Sequence, residues 1–144
     1  MIAVDTNILV HAHRADSAWF AAASIAIAEL ANGRQAWAVP WPCVHEFASI
    51  VTHSRIFRTP TPLAQACEQL DAWFASPTLV LLAEGSVYWP ALRGLLLGGQ
   101  IVGPKVHDAR IAALCQSNGV SVLLTADRDF SRFPALTTRN PLVK

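Results

Sequence analysis

The first eleven residues, MIAVDTNILVH (1–11), begin the alternation of strand and helix patterns that the rest of the chain follows. Residues 2–4 form a short apolar run with β-branched side chains, which is typical of a buried strand. Asp5 ends that run, and residues 8–10 restart the apolar pattern as a short helix that we expect to end near Val10. A carboxylate at the carboxyl end of a first strand lies where open α/β sheets collect reacting groups. Asp is also a favoured helix cap, so Asp5 has two interpretations that this stretch alone leaves open.

Composition restricts the class of protein. The chain has 144 residues, of which 53% are hydrophobic and 15% charged, so we predict one globular domain over residues 1–144. The formal net charge is +1, which argues against a purely electrostatic nucleic-acid binder. It does not exclude a nuclease, because a site made of carboxylates takes its positive charge from metal ions.

Cysteine usage and hydropathy indicate a cytoplasmic protein. Three cysteines lie far apart with no CxxC spacing, which argues against a disulfide framework or structural zinc and fits a reducing compartment. No basic segment precedes the first apolar run, so we expect no signal peptide. The longest stretch of low charge, residues 17–28, is too short to span a bilayer, and we expect no membrane association.

Strand-like and helix-like segments alternate along the chain. The predicted strands are residues 2–4, 36–39, 79–82, 120–124 and a short edge strand at 136–138. Beyond the short first helix, the predicted helices are residues 17–32, 43–53, 61–75, 86–97 and 107–117, with residues 100–104 as a loop. This alternation predicts an α/β fold in which the sheet is parallel and its crossovers are right-handed.

Four of the ten acidic residues are better interpreted together than singly. Asp5 and Asp127 directly follow predicted strands, Asp108 lies in the first turn of a helix, and Glu46 has no basic residue three or four positions away. Each has an ordinary structural explanation, as a cap, a dipole-favoured acid or an exposed side chain. Together they offer oxygen ligands only, which suits Mg²⁺. Two such ions can bracket a phosphodiester.

Four motifs carry a resemblance to a known family. They are V-D-T-N at 4–7, H-E-F at 45–47, H-D-A-R-I-A-A at 107–113 and T-A-D-R-D-F at 125–130. In this order they resemble the motifs of PIN domains and, more narrowly, of the toxin ribonucleases of bacterial VapBC toxin–antitoxin pairs. A single motif of this kind is weak, whereas the ordered set covers essentially the whole chain and is specific.

The resemblance implies a fold and a catalytic site. It implies a three-layer α/β/α sandwich with a central parallel sheet, and a metal-dependent endoribonuclease that hydrolyses single-stranded RNA. The acidic quartet matches Asp5, Glu46, Asp108 and Asp127, and the supporting polar positions match Asn7 and Thr125. The last motif also contains Asp129, but alignment by Thr125 favours Asp127 as the fourth acid.

Roles follow for these residues. Asp5 and Asp108 are expected to be the central ligands of Mg²⁺, for which Mn²⁺ can substitute, and Asp127 is expected to complete a second, weaker metal position. Glu46 would ligate through water or orient the attacking water, while Asn7 and Thr125 would hold carboxylates and water in place. The candidate contacts to RNA phosphate are Arg55, Arg58, Lys105 and Arg128, although a basic cluster such as the one around Phe57 is more often a solvated loop.

Two protein partners are expected. The apolar helix at 17–30 and the apolar face formed by Leu63, Leu70 and Trp73 predict a homodimer. The resemblance implies a small antitoxin whose helix or strand lies across an apolar groove near the acids. An Arg of that partner would match a carboxylate. Apolar side chains available for the groove are Trp19, Phe20, Trp41 and Phe47.

Two functions of other classes were weighed. A phosphatase of the haloacid-dehalogenase type also begins with an Asp after its first strand, but its D-x-D motif would need an acid where this chain has Asn7. A silent module that only sequesters RNA or a partner should have lost some of the acids. All four are present.

Overall fold

The sheet is the centre of the molecule. A computed structural model describes residues 1–143 and contains one five-stranded parallel sheet in the order β3-β2-β1-β4-β5. The strands are β1 (Ile2–Val4), β2 (Trp37–Pro40), β3 (Leu79–Leu82), β4 (Val122–Leu124) and β5 (Thr137–Arg139). In the centre, Ala3 pairs with Ala38 of β2 on one side and with Leu123 of β4 on the other. The first strand of the chain is therefore the middle strand of the sheet.

Helices connect the strands and form two groups. They are α1 (Thr6–His13), α2 (Phe20–Asn32), α3 (Trp41–Val51), α4 (Leu63–Phe74), α5 (Tyr88–Gly99) and α6 (Val106–Ser117). Helix α1 packs against α2 and α3, α4 packs on α3, α5 packs on α6, and both α3 and α6 contact β2. None of these helices is long and apolar enough to cross a membrane.

The central strands are covered on both faces. Successive side chains of a strand point to opposite faces. Ala3 and Val4 are both fully buried, and so are Trp37 and Ala38, so helices shield each face of the sheet. The prediction of an α/β fold with a central parallel sheet and helical layers on both sides is confirmed.

Several predicted boundaries were wrong by a few residues. Helix α1 continues to His13 instead of ending near Val10. Helix α2 begins at Phe20 and not at Ser17, because the Ser17 hydroxyl accepts a hydrogen bond from the Trp19 N–H at 3.0 Å and holds a turn there. Helix α3 begins at Trp41, with Pro42 in its first turn, where a missing N–H costs nothing.

The remaining boundary errors are small. The loop predicted at 100–104 contains a 3₁₀ helix, Gly103–Lys105, whose first residue has a positive φ of 64°. Strand β4 begins at Val122 and not at 120, because the Val120 N–H still bonds to the Cys115 carbonyl at the end of α6. Strand β5 lies one residue later than predicted, at Thr137–Arg139, and a second 3₁₀ helix occupies Arg128–Arg132.

Parallel pairing brings chemically useful residues to one edge of the sheet. The Asp5 N–H donates to the Leu124 carbonyl at 3.0 Å, and the Thr125 N–H donates to the Arg139 carbonyl at 3.0 Å. The residues that directly follow β1 and β4 are thus fixed side by side. This edge carries the carboxyl ends of the strands, where ligands bind in open α/β sheets.

Candidate metal centre

Asp5 is buried in a set of hydrogen bonds at the end of β1. Its side chain is 4% exposed. One carboxylate oxygen, Oδ1, accepts from the Thr6 N–H at 2.8 Å and from the Cys43 thiol at 3.5 Å. The other, Oδ2, accepts from the Thr125 hydroxyl at 2.8 Å and from the Asn7 amide at 3.2 Å. The bond from Thr6 is also the helix cap of α1, so both interpretations of Asp5 are compatible.

Burial and hydrogen bonding act in opposite directions on Asp5. Burial raises the pKa of the Asp5 carboxyl above its usual value, and the hydrogen bonds from Thr125 and Thr6 offset part of that rise. The nearby charge of Glu46 raises the pKa further. A positive charge beside this buried carboxyl group would stabilise its ionised form.

Asn7 and Thr125 connect the ends of β1 and β4 around Asp5. The Asn7 amide nitrogen also donates to the Thr125 hydroxyl at 3.2 Å, and its carbonyl oxygen accepts from the Ala126 N–H at 3.0 Å. The Thr125 hydroxyl accepts from the Asp127 N–H at 3.0 Å. The structure thus places both predicted supporting residues in contact with Asp5 and at the start of the last acidic motif.

Glu46 approaches the same region from α3. Its side chain is half-buried, and its Oε2 accepts a hydrogen bond from the Thr6 hydroxyl at 2.8 Å. No salt bridge to Glu46 is found among residues 1–143, as the sequence spacing predicted. Sequence reasoning missed Thr6, although its position directly after Asp5 in the first turn of α1 was the available signal.

Asp108, Asp127 and Asp129 form a second group of acids. Each places one carboxylate oxygen so that all three atoms lie within 4.8 Å of one another. Burial raises the pKa of Asp108, and the charges of Asp127 and Asp129 raise it further. The 3₁₀ turn brings Asp129 in, because the Asp127 side chain caps that turn by accepting from the Asp129 N–H at 2.8 Å.

Glu46 acts electrostatically on both Asp5 and the group of three acids, because its charge raises the pKa of Asp5 and of Asp108. The carboxylates fit a hard divalent cation, which takes oxygen ligands. The one sulfur at the site belongs to Cys43. Burial and the charge of Asp5 raise the pKa of its thiol well above the usual value, so the thiol stays protonated and does not offer a metal ligand.

The predicted RNA contacts fall into two groups. Arg55, Arg58 and Arg128 are exposed, the first two on the loop after α3 and the third beside Asp127. Lys105 forms the second group, because its ammonium group pairs with Asp129 at 2.7 Å. That pairing lowers the pKa of Asp129.

An unpredicted arginine anchors the loop that carries Arg55 and Arg58. The Arg14 guanidinium lies 4.0 Å from the centre of the Phe57 ring and donates to the Thr59 carbonyl at 2.8 Å. Arg14 also pairs with Asp16 at 2.7 Å. The loop is therefore held against the end of α1.

The predicted apolar surfaces are only partly available. Phe47 is fully buried and packs edge-on against Trp73, so the prediction that Phe47 lines an exposed groove was wrong. Trp19 and Trp41 are exposed, and Trp41 stacks with His45. The apolar face predicted for dimerisation is exposed only in part, because Leu63 is exposed while Leu70 and Trp73 are partly buried against the core.

Comparison with known sequences gives consistent matches over nearly the whole chain. The family model described as PIN domain matches residues 2–136. Ribonuclease VapC43 of Mycobacterium tuberculosis is 36% identical over 142 residues, covering 99% of this chain and 96% of the relative. Ribonuclease VapC48 of the same organism is 26% identical over 137 residues, covering 95% of this chain and 94% of the relative.

Solved structures with the same fold include toxins alone and in complexes. VapBC2 from Rickettsia felis, bound to a DNA fragment from its promoter, gives a TM-score of 0.67 at 22% identity and covers 97% of this chain and 98% of that chain. VapC20 of Mycobacterium tuberculosis, described as a sarcin-ricin loop cleaving toxin, gives 0.64 at 17% identity and covers 91% and 93%. At these identities the likeness concerns the fold.

Proposed function

The chain belongs to the PIN-domain family, among its VapC ribonucleases, and from this membership we propose that it is the endoribonuclease toxin of a type II toxin–antitoxin pair. The observation that carries the proposal is the cluster of Asp108, Asp127 and Asp129. The charge of Glu46 raises the pKa of both Asp5 and Asp108, which supports placing Asp5, Glu46, Asp108 and Asp127 in one site. The substrate is single-stranded RNA, hydrolysed at phosphodiester bonds. We propose that residues 1–144 form one nuclease domain that works in the cytoplasm.

The proposed cofactor is Mg²⁺, with Mn²⁺ as a substitute. When bound, such an ion would supply an activated water for attack on phosphorus and positive charge beside the phosphate oxygens. The residues proposed to hold it are Asp5 and Asp108, with Asp127 completing a second position. Two observations support this assignment, namely the oxygen-only set of carboxylates and the raised pKa values of Asp5 and Asp108.

The remaining residues orient these acids and the substrate. Asn7 and Thr125 hold the Asp5 carboxylate through two hydrogen bonds, which fixes its direction. Glu46 would ligate the ion through water or orient the attacking water, since it is half-buried and has no basic partner within residues 1–143. Arg55, Arg58, Lys105 and Arg128 are proposed to contact RNA phosphates.

Cleavage of RNA by the purified protein tests this function. We expect wild-type protein with Mg²⁺ to cut total cellular RNA at a limited set of positions, which mapping of the new ends identifies. Asp5→Asn keeps the shape of the side chain and removes its charge. It should lower cleavage by on the order of a hundredfold or more. Asp71→Asn makes the same chemical change on the exposed part of α4 and serves as the matched control. Equal cleavage by wild type and Asp5→Asn would contradict the proposal.

The proposed protein partner is a small antitoxin. Its Arg would reach the acidic centre, where buried carboxylates need a positive charge, and its apolar segment would cover the exposed Trp19 and Trp41 together with Phe20. Production of this chain alone should arrest growth, and co-production of the partner should relieve the arrest. Relief that persists after the partner's basic residue becomes Ala would contradict this geometry.

We also propose that the protein forms a homodimer. Helix α2 exposes 59% of Ile25, and it borders a groove of about 490 Å³ lined by Ala22, Ala26 and Leu30. Leu63 on α4 is 69% exposed and offers further apolar surface. Apolar patches of this kind usually mark interfaces, and two-fold dimers are the commonest soluble assembly.

A further inference from the structure

Two donors to which the proposed chemistry gives no role connect Asp5 with Glu46. The Thr6 hydroxyl donates to Glu46 Oε2 at 2.8 Å, and the Cys43 thiol lies 3.5 Å from Asp5 Oδ1. Thr6 directly follows Asp5 at the start of α1, and Cys43 precedes Glu46 by one turn of α3. Thr6, beside Asp5, therefore donates to the acid of α3, and Cys43, on the same helix as Glu46, donates to the acid at the start of α1.

The burial of both donors limits what else they can do. Thr6 is 4% exposed and Cys43 is fully buried, so neither reaches solvent or substrate. A thiol and a hydroxyl can both donate to a carboxylate, and these two bonds join the same pair of helices.

Glu46 depends on this arrangement more than Asp5 does. Asp5 accepts from four donors, whereas Thr6 is the one side-chain partner of Glu46 within residues 1–143. Glu46 has three rotatable bonds and carries a charge that repels Asp5. Without the Thr6 hydroxyl, both effects would favour rotation of the Glu46 carboxylate towards solvent.

We propose that Thr6 and Cys43 are positioning residues that hold Asp5 and Glu46 at a fixed separation, so that this side of the metal centre is assembled before a divalent ion binds. The inference rests on the proposed function. Outer hydrogen-bond partners of metal ligands typically contribute 10- to 100-fold to metal affinity or activity. The Thr6 bond is the shorter of the two and has a stronger donor, so Thr6 should contribute more than Cys43.

The test measures the affinity of purified full-length variants for Mn²⁺ by calorimetry, and their melting temperature in chelator. Thr6→Val removes the hydroxyl and keeps the branched shape, and it should weaken Mn²⁺ binding about tenfold. Thr6→Ser retains the hydroxyl and should bind within about twofold of wild type. Cys43→Ala should weaken binding by less than Thr6→Val, and Cys43→Ser should restore it.

Matched controls separate positioning from stability. Thr52→Val makes the same chemical change at the end of α3, where it removes a 2.7 Å hydrogen bond to the Ala48 carbonyl that touches none of the acids. Cys67→Ala makes the same change at an exposed thiol on α4. Thr52→Val should lower the melting temperature, and both controls should leave Mn²⁺ affinity unchanged. Thr6→Ala provides a second removal of the hydroxyl if Thr6→Val does not fold.

The outcomes distinguish this inference from the proposed function. If Thr6→Val or Thr6→Ala binds Mn²⁺ as tightly as wild type while its melting temperature falls, Thr6 is only structural and the inference is overturned. Failure of the wild-type protein to bind Mn²⁺ would overturn both the inference and the proposed metal site. Tight binding by wild type, weak binding by Thr6→Val and no cleavage of RNA would support the inference and overturn the proposed function alone.

Discussion

Asp108→Asn should raise the stability of the metal-free protein and lower its stability in the presence of metal. The Asp108 carboxylate shares a 4.8 Å cluster with Asp127 and Asp129, and their charges raise its pKa. Two unit charges 4.8 Å apart repel by about 1 kcal/mol in a water-like dielectric. Lys105 already neutralises part of the charge of Asp129. Removing the charge of Asp108 should therefore stabilise the metal-free fold by about 1 kcal/mol.

Binding of metal should make wild type the more stable of the two proteins. An ion at about 100 times its dissociation constant stabilises a folded protein by about 2.7 kcal/mol. If Asp108→Asn weakens binding about a hundredfold, the same ion concentration stabilises the variant by only about 0.4 kcal/mol. The variant should then be about 1 kcal/mol less stable than wild type, and each difference corresponds to roughly 2–4 °C in melting temperature.

Thermal unfolding followed by circular dichroism measures both differences. Wild type, Asp108→Asn and the control Asp71→Asn are melted in chelator and then in Mg²⁺. The curves of wild type and Asp108→Asn should cross between the two conditions, and Asp71→Asn should follow wild type in both. A variant that is less stable than wild type even in chelator would refute the reasoning. It would show that Asp108 serves mainly the first turn of α6.

Three further predictions follow from the acids and the exposed helices. Because folding raises the pKa values of Asp5 and Asp108 above 3.8, these two carboxyls favour the folded state at low pH and lose that effect as pH rises through their folded-state pKa values. The stability advantage of Asp108→Asn over wild type in chelator should therefore grow from pH 3.5 to pH 7. A constant difference would count against this prediction. Asp127→Asn should lower kcat/KM for RNA more than Asp129→Asn, because Lys105 already engages Asp129, and the reverse order would show that Asp129 is the fourth acid. Light scattering should give the mass of a dimer at micromolar concentration, and Ile25→Glu should shift it to a monomer, whereas a wild-type monomer at every concentration would contradict the dimer.

The architecture was predictable because it depends on patterns that a sequence displays directly. Apolar runs such as Ile2–Val4 and Leu79–Leu82 alternate with helical segments, and this alternation requires a parallel sheet. The errors occur where one local interaction decides a boundary. The Ser17 hydroxyl, for example, accepts a hydrogen bond that holds a turn and delays the start of α2.

The contact between Asp5 and Thr125 was predictable for a related reason. Parallel strands place their carboxyl ends at one edge, so the residues after β1 and β4 must meet there. The direction of side chains between packed helices has no comparable signal. The contacts of Thr6 with Glu46 and of Cys43 with Asp5 depend on how α1 crosses α3, which the sequence does not reveal.

Charge pairing and burial limited the other predictions. The sequence did not reveal that Lys105, a candidate RNA contact, pairs with Asp129, which the 3₁₀ turn after β4 brings within 2.7 Å of its ammonium group. Phe47 was expected at a surface groove, but it lies on the side of α3 that packs against the core. Both positions depend on which side of an element faces the rest of the molecule.

Metal add-back with a defined RNA tests whether cleavage depends on a divalent ion and on Asp5. Wild-type protein is stripped of metal with chelator and dialysed. It is then assayed on an end-labelled single-stranded RNA without metal, with Mg²⁺, with Mn²⁺ and with Zn²⁺, beside Asp5→Asn. We expect no cleavage by the stripped protein, restored cleavage with Mg²⁺ or Mn²⁺, no requirement for Zn²⁺, and at most about a hundredth of that rate for Asp5→Asn. Full cleavage by the stripped protein, or equal cleavage by Asp5→Asn, would contradict this expectation.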